Sequence, residues 1–103
     1  MTNEQLIGRL NEIILLSRKM SFSEENLVEI LSYYKESLRV FRDIKSRKVK
    51  TYCVKELREM ETDEYGDLIK YESKSTDGDH FKSFKYEFIC VLEDCISHIS
   101  YPR

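Results

Sequence analysis

The sequence predicts an all-α fold, a small helical bundle, and three observations carry that reading. Apolar residues return every three or four positions through three long stretches, the period that lines one face of a helix. Side chains suited to capping helix ends stand just ahead of those stretches. The 103 residues hold only 3 glycines and 1 proline, which favours long regular elements over a many-turned β fold. At this length the chain is expected to form a single domain over 1–103 with one core.

The first helix is placed at about 3–19. Leu6, Ile7, Leu10, Ile13, Ile14 and Met20 form its stripe, and Leu15 and Leu16 broaden it, so a central position in the core is expected. Thr2 and Gln5 have the spacing of a capping box, in which each side chain satisfies the other residue's free amide. Gly8 lowers helix propensity and would suit a close helix crossing.

A second helix is signalled by Ser21 or Ser23 as cap, with Glu24 and Glu25 in the first turn, where the helix dipole favours negative charge. Leu27, Ile30, Leu31, Tyr34, Leu38, Phe41 and Ile44 follow at helical spacing. The short connection predicts an antiparallel hairpin of these two helices. Leu27, Tyr34 and Phe41 recur every seven residues, as do Ile30, Ser37 and Ile44, a short heptad pattern that suits intramolecular packing first and a homodimer second.

The apolar phase fails after Ile44, and a break is expected near Ser46–Lys48. Val49, Tyr52, Cys53, Leu57 and Met60 begin a shifted pattern that reads as a short helix over 49–60, although the segment is also rich in β-formers. Residues 61–80 hold two glycines and most of the turn chemistry, and read as an irregular excursion with a brief strand or helical turn near Leu68–Tyr71. A last helix is placed at 80–99 on Phe81, Phe84, Phe88, Val91, Leu92, Cys95, Ile96 and Ile99, with Asp79 as its cap. The alternative architecture is α+β, with a short antiparallel sheet from 49–54, 67–73 and 81–91, because Phe84–Phe88 alternates strictly and Asp77-Gly78 is a turn signal.

Charge is unevenly spread. Eight of the twenty residues from Arg39 to Arg58 are basic, against Asp43 and Glu56, so this island carries +6 in a chain whose net charge is −2. Residues 59–103 carry −6. Segregation of this kind sets up a field that steers encounters with oppositely charged partners. In the ordinary reading the island is solvated surface, laced by ion pairs to the acidic C-terminal half. In the second it meets an acidic protein surface. In the third it meets nucleic-acid phosphates, with Tyr52 as a stacking residue. A sequence pI near 5.7 and the absence of a helix-turn-helix or ribonucleoprotein pattern weaken that third reading.

Other chemistries find little support. Cys53, Cys90, Cys95 and His98 lack the paired C-x-x-C spacing of a zinc site, so no metal is expected and the three cysteines read as small buried hydrophobes. Glu24–Glu25, Asp63–Glu64 and Glu93–Asp94 are adjacent pairs whose members diverge on a helix, and His80 has no nucleophile or orienting group at a telling spacing. Gly8, Gly66 and Gly78 are isolated, so no phosphate loop is present, and neither catalysis nor a cofactor is expected. The first residues lack a basic signal-like region, the longest apolar run near them is Ile13–Leu16, and the odd cysteine count suits a reducing cytoplasm without membrane attachment.

The functional expectation is therefore a small non-enzymatic regulator that docks on a protein partner, in the manner of an inhibitor, immunity protein or anti-defence factor of bacteria or phage. The alternative is a nucleic-acid-binding regulator that uses the basic segment 39–58. The candidate contact residues are Arg42, Lys45, Arg47, Lys48, Lys50 and Tyr52 around the break, with Tyr65 and Tyr71 as aromatic anchors in the acidic excursion. An electropositive site is expected at the break, facing away from the acidic C-terminal half.

Overall fold

A computed structural model of the chain describes residues 1–62, 65–71 and 77–101, apart from the side chain of Tyr71. Five helices follow in order: α1 (Asn3–Arg18), α2 (Glu24–Arg42), α3 (Arg47–Glu59), α4 (Gly66–Tyr71) and α5 (Gly78–Ser100). No strand occurs among the described residues, so the α+β alternative with strands at 49–54, 67–73 and 81–91 is not the fold adopted. The helical pattern wins over the local alternation of Phe84–Phe88 because α5 buries Phe81, Phe84, Phe88, Leu92, Cys95 and Ile99 on one continuous face.

The caps show how local chemistry sets the boundaries. Thr2 and Gln5 form the reciprocal capping box, with Thr2 Oγ1 accepting from the Gln5 amide at 3.2 Å and Gln5 Oε1 from the Thr2 amide at 2.9 Å. Ser23 caps α2 and Ser46 caps α3, each accepting from the amide three residues on. The cap of α5 is Asp77, not Asp79: its Oδ1 accepts from the His80 amide at 2.8 Å, and Gly78 becomes the first helical residue instead of part of a hairpin turn. Within 61–80, the brief strand or helical turn expected near Leu68–Tyr71 is the helix α4, and residues 63–64 and 72–76 lie outside the described residues. Gly66 opens that helix where a Cβ would stand 2.5 Å from the Glu61 carbonyl oxygen, a contact that only glycine avoids.

The core is built around α5, which packs against α1, α3 and α2. Phe84 and Phe88 sit at its centre with Tyr34 of α2 tilted against both. The Tyr34 hydroxyl lies 2.8 Å from the Leu57 carbonyl, so a buried polar tip is satisfied by the C-terminal turn of α3. Arg9 of α1 meets Glu36 of α2, a pair placed almost symmetrically about the connecting turn, as an antiparallel hairpin requires. The six heptad residues of α2 and its following turn (Leu27, Ile30, Tyr34, Ser37, Phe41, Ile44) are all buried within this chain, so that stripe offers nothing to a second copy.

Several sequence expectations are corrected. Leu15 is 57% exposed and Leu16 sits at the surface, because helical phase turns them away once Ile13 and Ile14 face the core. Gly8 marks no helix crossing; a Cβ there would meet nothing within 4 Å. Cys90 is exposed while Cys53 and Cys95 are buried. No helix among the described residues is long and apolar enough to cross a membrane.

Candidate partner-docking face

The break falls at Asp43–Ser46, ahead of the expected Ser46–Lys48, and is a tight turn that reverses the chain from α2 into α3. Asp43 and Ile44 bond back to the carbonyls of Val40 and Phe41, and Ser46 then restarts the helix. This turn divides the basic island by its electrostatic logic. Arg39 and Arg42 lie in the last turn of α2, where exposed carbonyls favour cations. Arg47 and Lys48 open α3, with Lys50 close behind and no acidic residue in the first turn. There the helix dipole opposes positive charge, by roughly 0.3–1 kcal/mol per residue. Arg47 and Lys48 are thus placed against the preference of the helix that carries them, whereas Arg58, in its last turn, is placed with it.

Helix α3 turns Val49, Cys53 and Leu57 inward and packs on α2 and α5. Arg47, Lys48, Thr51, Lys55 and Arg58 lie exposed on the other side. Positions 47, 51, 54 and 58 follow the three- and four-residue steps of one helical face. Among the described residues, none of the eight cations from Arg39 to Arg58 makes an ion pair, whereas Arg9, Arg18 and His98 pair elsewhere in the molecule. The expected lacing of the island to the acidic C-terminal half is therefore not what these residues do. Lys45 is exposed in the turn itself.

One feature of this face was not legible from spacing alone. Arg42, at the end of α2, and Lys50, Thr51, Val54 and Lys55 of α3 line an open groove of about 520 Å³. The candidate contact residues Arg42 and Lys50 are thereby brought together, and Lys55 of the same island joins them with Thr51 and Val54. The only sequence signal was the helical phase of 51, 54 and 55; the reach of Arg42 depends on how the turn folds.

The aromatic candidates do not join the face. The Tyr52 hydroxyl donates to Asp94 Oδ2 at 2.6 Å, and its ring stacks on His98 with centroids 4.1 Å apart. The hydrogen bond to Asp94, before any desolvation, holds the phenol above its ordinary range. Tyr52 is thus a strut between α3 and α5. Tyr65 is only 5% exposed, stacked on His80 and edge-on to Phe84, so burial removes it as a surface anchor. Tyr71 ends α4, and its side chain lies outside the described residues.

His98 and Cys95 are engaged structurally. His98 Nδ1 lies 2.9 Å from the Asp94 carbonyl on its own helix. Cys95 is held above the ordinary thiol range by its hydrogen bond with Cys53 and by burial, so this thiol behaves as core. Among the described residues no three His, Cys, Asp or Glu side chains are grouped so as to hold a metal ion. The chain matches no protein family, no curated protein and no solved structure.

Proposed function

We propose that this chain is a small non-enzymatic regulator, of the inhibitor, immunity or anti-defence kind, that docks its α3 basic face on an acidic protein surface in the cytoplasm. The observation that carries the proposal is the placement of Arg47, Lys48 and Lys50 at the start of α3, without ion pairs among the described residues and against the helix dipole. Charges that cost the fold and gain nothing inside it are accounted for by an external partner, since natural sequences break local rules mainly where function demands it. Steering by such a face speeds association with a partner of opposite charge. The protein partner is favoured over nucleic acid because the aromatic ring nearest the island, Tyr52, is occupied by Asp94 and His98 and is not free to stack on a base.

The test is affinity capture from lysate at low and high salt, with and without nuclease. The bait is compared with a variant in which Arg42, Lys45, Arg47, Lys48 and Lys50 are neutralised. A nuclease-resistant, salt-sensitive acidic protein, lost from the neutralised bait, is the expected result. Capture that vanishes with nuclease would establish the nucleic-acid reading of the segment 39–58 instead.

A further inference from the structure

The groove between the end of α2 and the outer side of α3 has a composition that specifies more than charge. Val54 is half-buried at its floor, and Thr51 sits beside it on the same helical face. Its exposed lining is mostly carbon, as expected when long cationic side chains lay their methylene stems along a surface and hold their charged heads in water. Arg42 from α2 and Lys50 and Lys55 from α3 line the groove together, and none of them is paired with an acidic group among the described residues. At about 520 Å³ the groove can take a large side chain together with its flanking backbone.

We infer that this groove is the specificity subsite of the docking face. It takes an acidic protein segment that lays one aliphatic or aromatic side chain on Val54 and sets carboxylates against Arg42, Lys50 and Lys55. The inference rests on the reading that α3 docks on an acidic protein. It adds that an apolar anchor, and not charge alone, selects the partner. Arg42 supplies a planar fork that binds a carboxylate through two parallel hydrogen bonds, whereas the two lysines act as point charges. A phosphate polymer would satisfy the cations but leave the carbon floor uncovered.

The experiment is a titration of the 103-residue, isotope-labelled chain, followed by amide chemical shifts, with three probes: a five-residue peptide Asp-Glu-Leu-Glu-Asp, the same peptide with Ser at its centre, and a short oligothymidylate. Burying a leucine side chain is worth roughly 1.5–3 kcal/mol, so the leucine peptide should bind at least about tenfold tighter than its serine counterpart. The saturating shifts should centre on Lys50, Thr51, Val54 and Lys55. Val54→Asp should erase the tenfold preference, and Lys55→Glu, at an exposed position, should weaken the leucine peptide while leaving the spectrum of a folded chain. Equal binding of the two peptides, with shifts spread over Arg47, Lys48 and Arg58, would overturn the groove and leave the acidic-surface reading standing. An oligothymidylate that binds tighter than both peptides would overturn the two together. No shift with the leucine peptide at about 1 mM would overturn the groove.

Discussion

Arg9 shows how a single side chain on this molecule is normally spent. Its guanidinium reaches Glu36 across the α1–α2 seam and Glu12 on its own helix, with the Tyr33 ring 5.9 Å away. The hydrogen bond from Arg9 is the main cause that holds the Glu36 carboxyl below its ordinary value of 4.5. A depressed folded-state pKa contributes stability that is complete above about 4.5 and is lost as pH falls through the lower folded value. With side chains 29% and 28% exposed, the pair is screened on one side, and Glu36→Gln should cost about 1 kcal/mol at pH 7. In thermal melts the gap between wild type and variant should narrow as pH falls from 7 through 4.5 and below. A gap that stays constant would show that Glu36 acts through packing. Ser17 is the opposite case: its Oγ is fully buried and has no hydrogen-bond partner among the described residues. Ser17→Ala should therefore raise stability by roughly 1 kcal/mol, the desolvation cost of an unsatisfied hydroxyl. Denaturant titration checks this, and a loss of stability would mean that the hydroxyl does have a partner.

At the scale of elements, what sequence made legible was whatever depends on local chemistry. Thr2, Ser23 and the stripe on α5 specify their helices because caps and periodicity act within a few residues. The errors lie where local signals are degenerate. Asp77 and Asp79 are both good caps, and the choice between them depends on where α5 must begin for Phe81 to reach the core. Leu15 and Leu16 continue an apolar run, and only the packing of α1 on α5 reveals that they point outward. The turn residues around Tyr65 suggested an exposed loop, yet the short helix α4 folds the ring under Phe84. Helix α3 is the telling element. Its inner face is ordinary core, and its Ser46 cap is sound, but its first turn carries Arg47 and Lys48 where acids would stabilise it. Replacing both by glutamate reverses an unfavourable dipole interaction, and should stabilise the helix and with it the fold.

Across the whole molecule, the segregation of charge was plain from the sequence, but its meaning was not. A +6 island in a chain of net charge −2 could have been neutralised internally. The fold instead packs the inner side of α3 on α5, joins the two through Tyr52 and Asp94, and leaves the cations on the far side. The groove lined by Arg42 and by α3 residues from Lys50 to Lys55 arises only once the turn at 43–46 brings two helices side by side, so no spacing rule could have found it. Stability lost at the start of α3 and a field gained on its outer side are two aspects of one arrangement. The most direct measurement is the thermal stability of Arg47→Glu/Lys48→Glu at low salt, taken together with its capture behaviour. The account predicts a higher Tm, by several degrees for roughly 1 kcal/mol in a domain of this size, and loss of the salt-sensitive partner. A lower Tm would contradict it, because the two cations would then be serving the fold and not a partner.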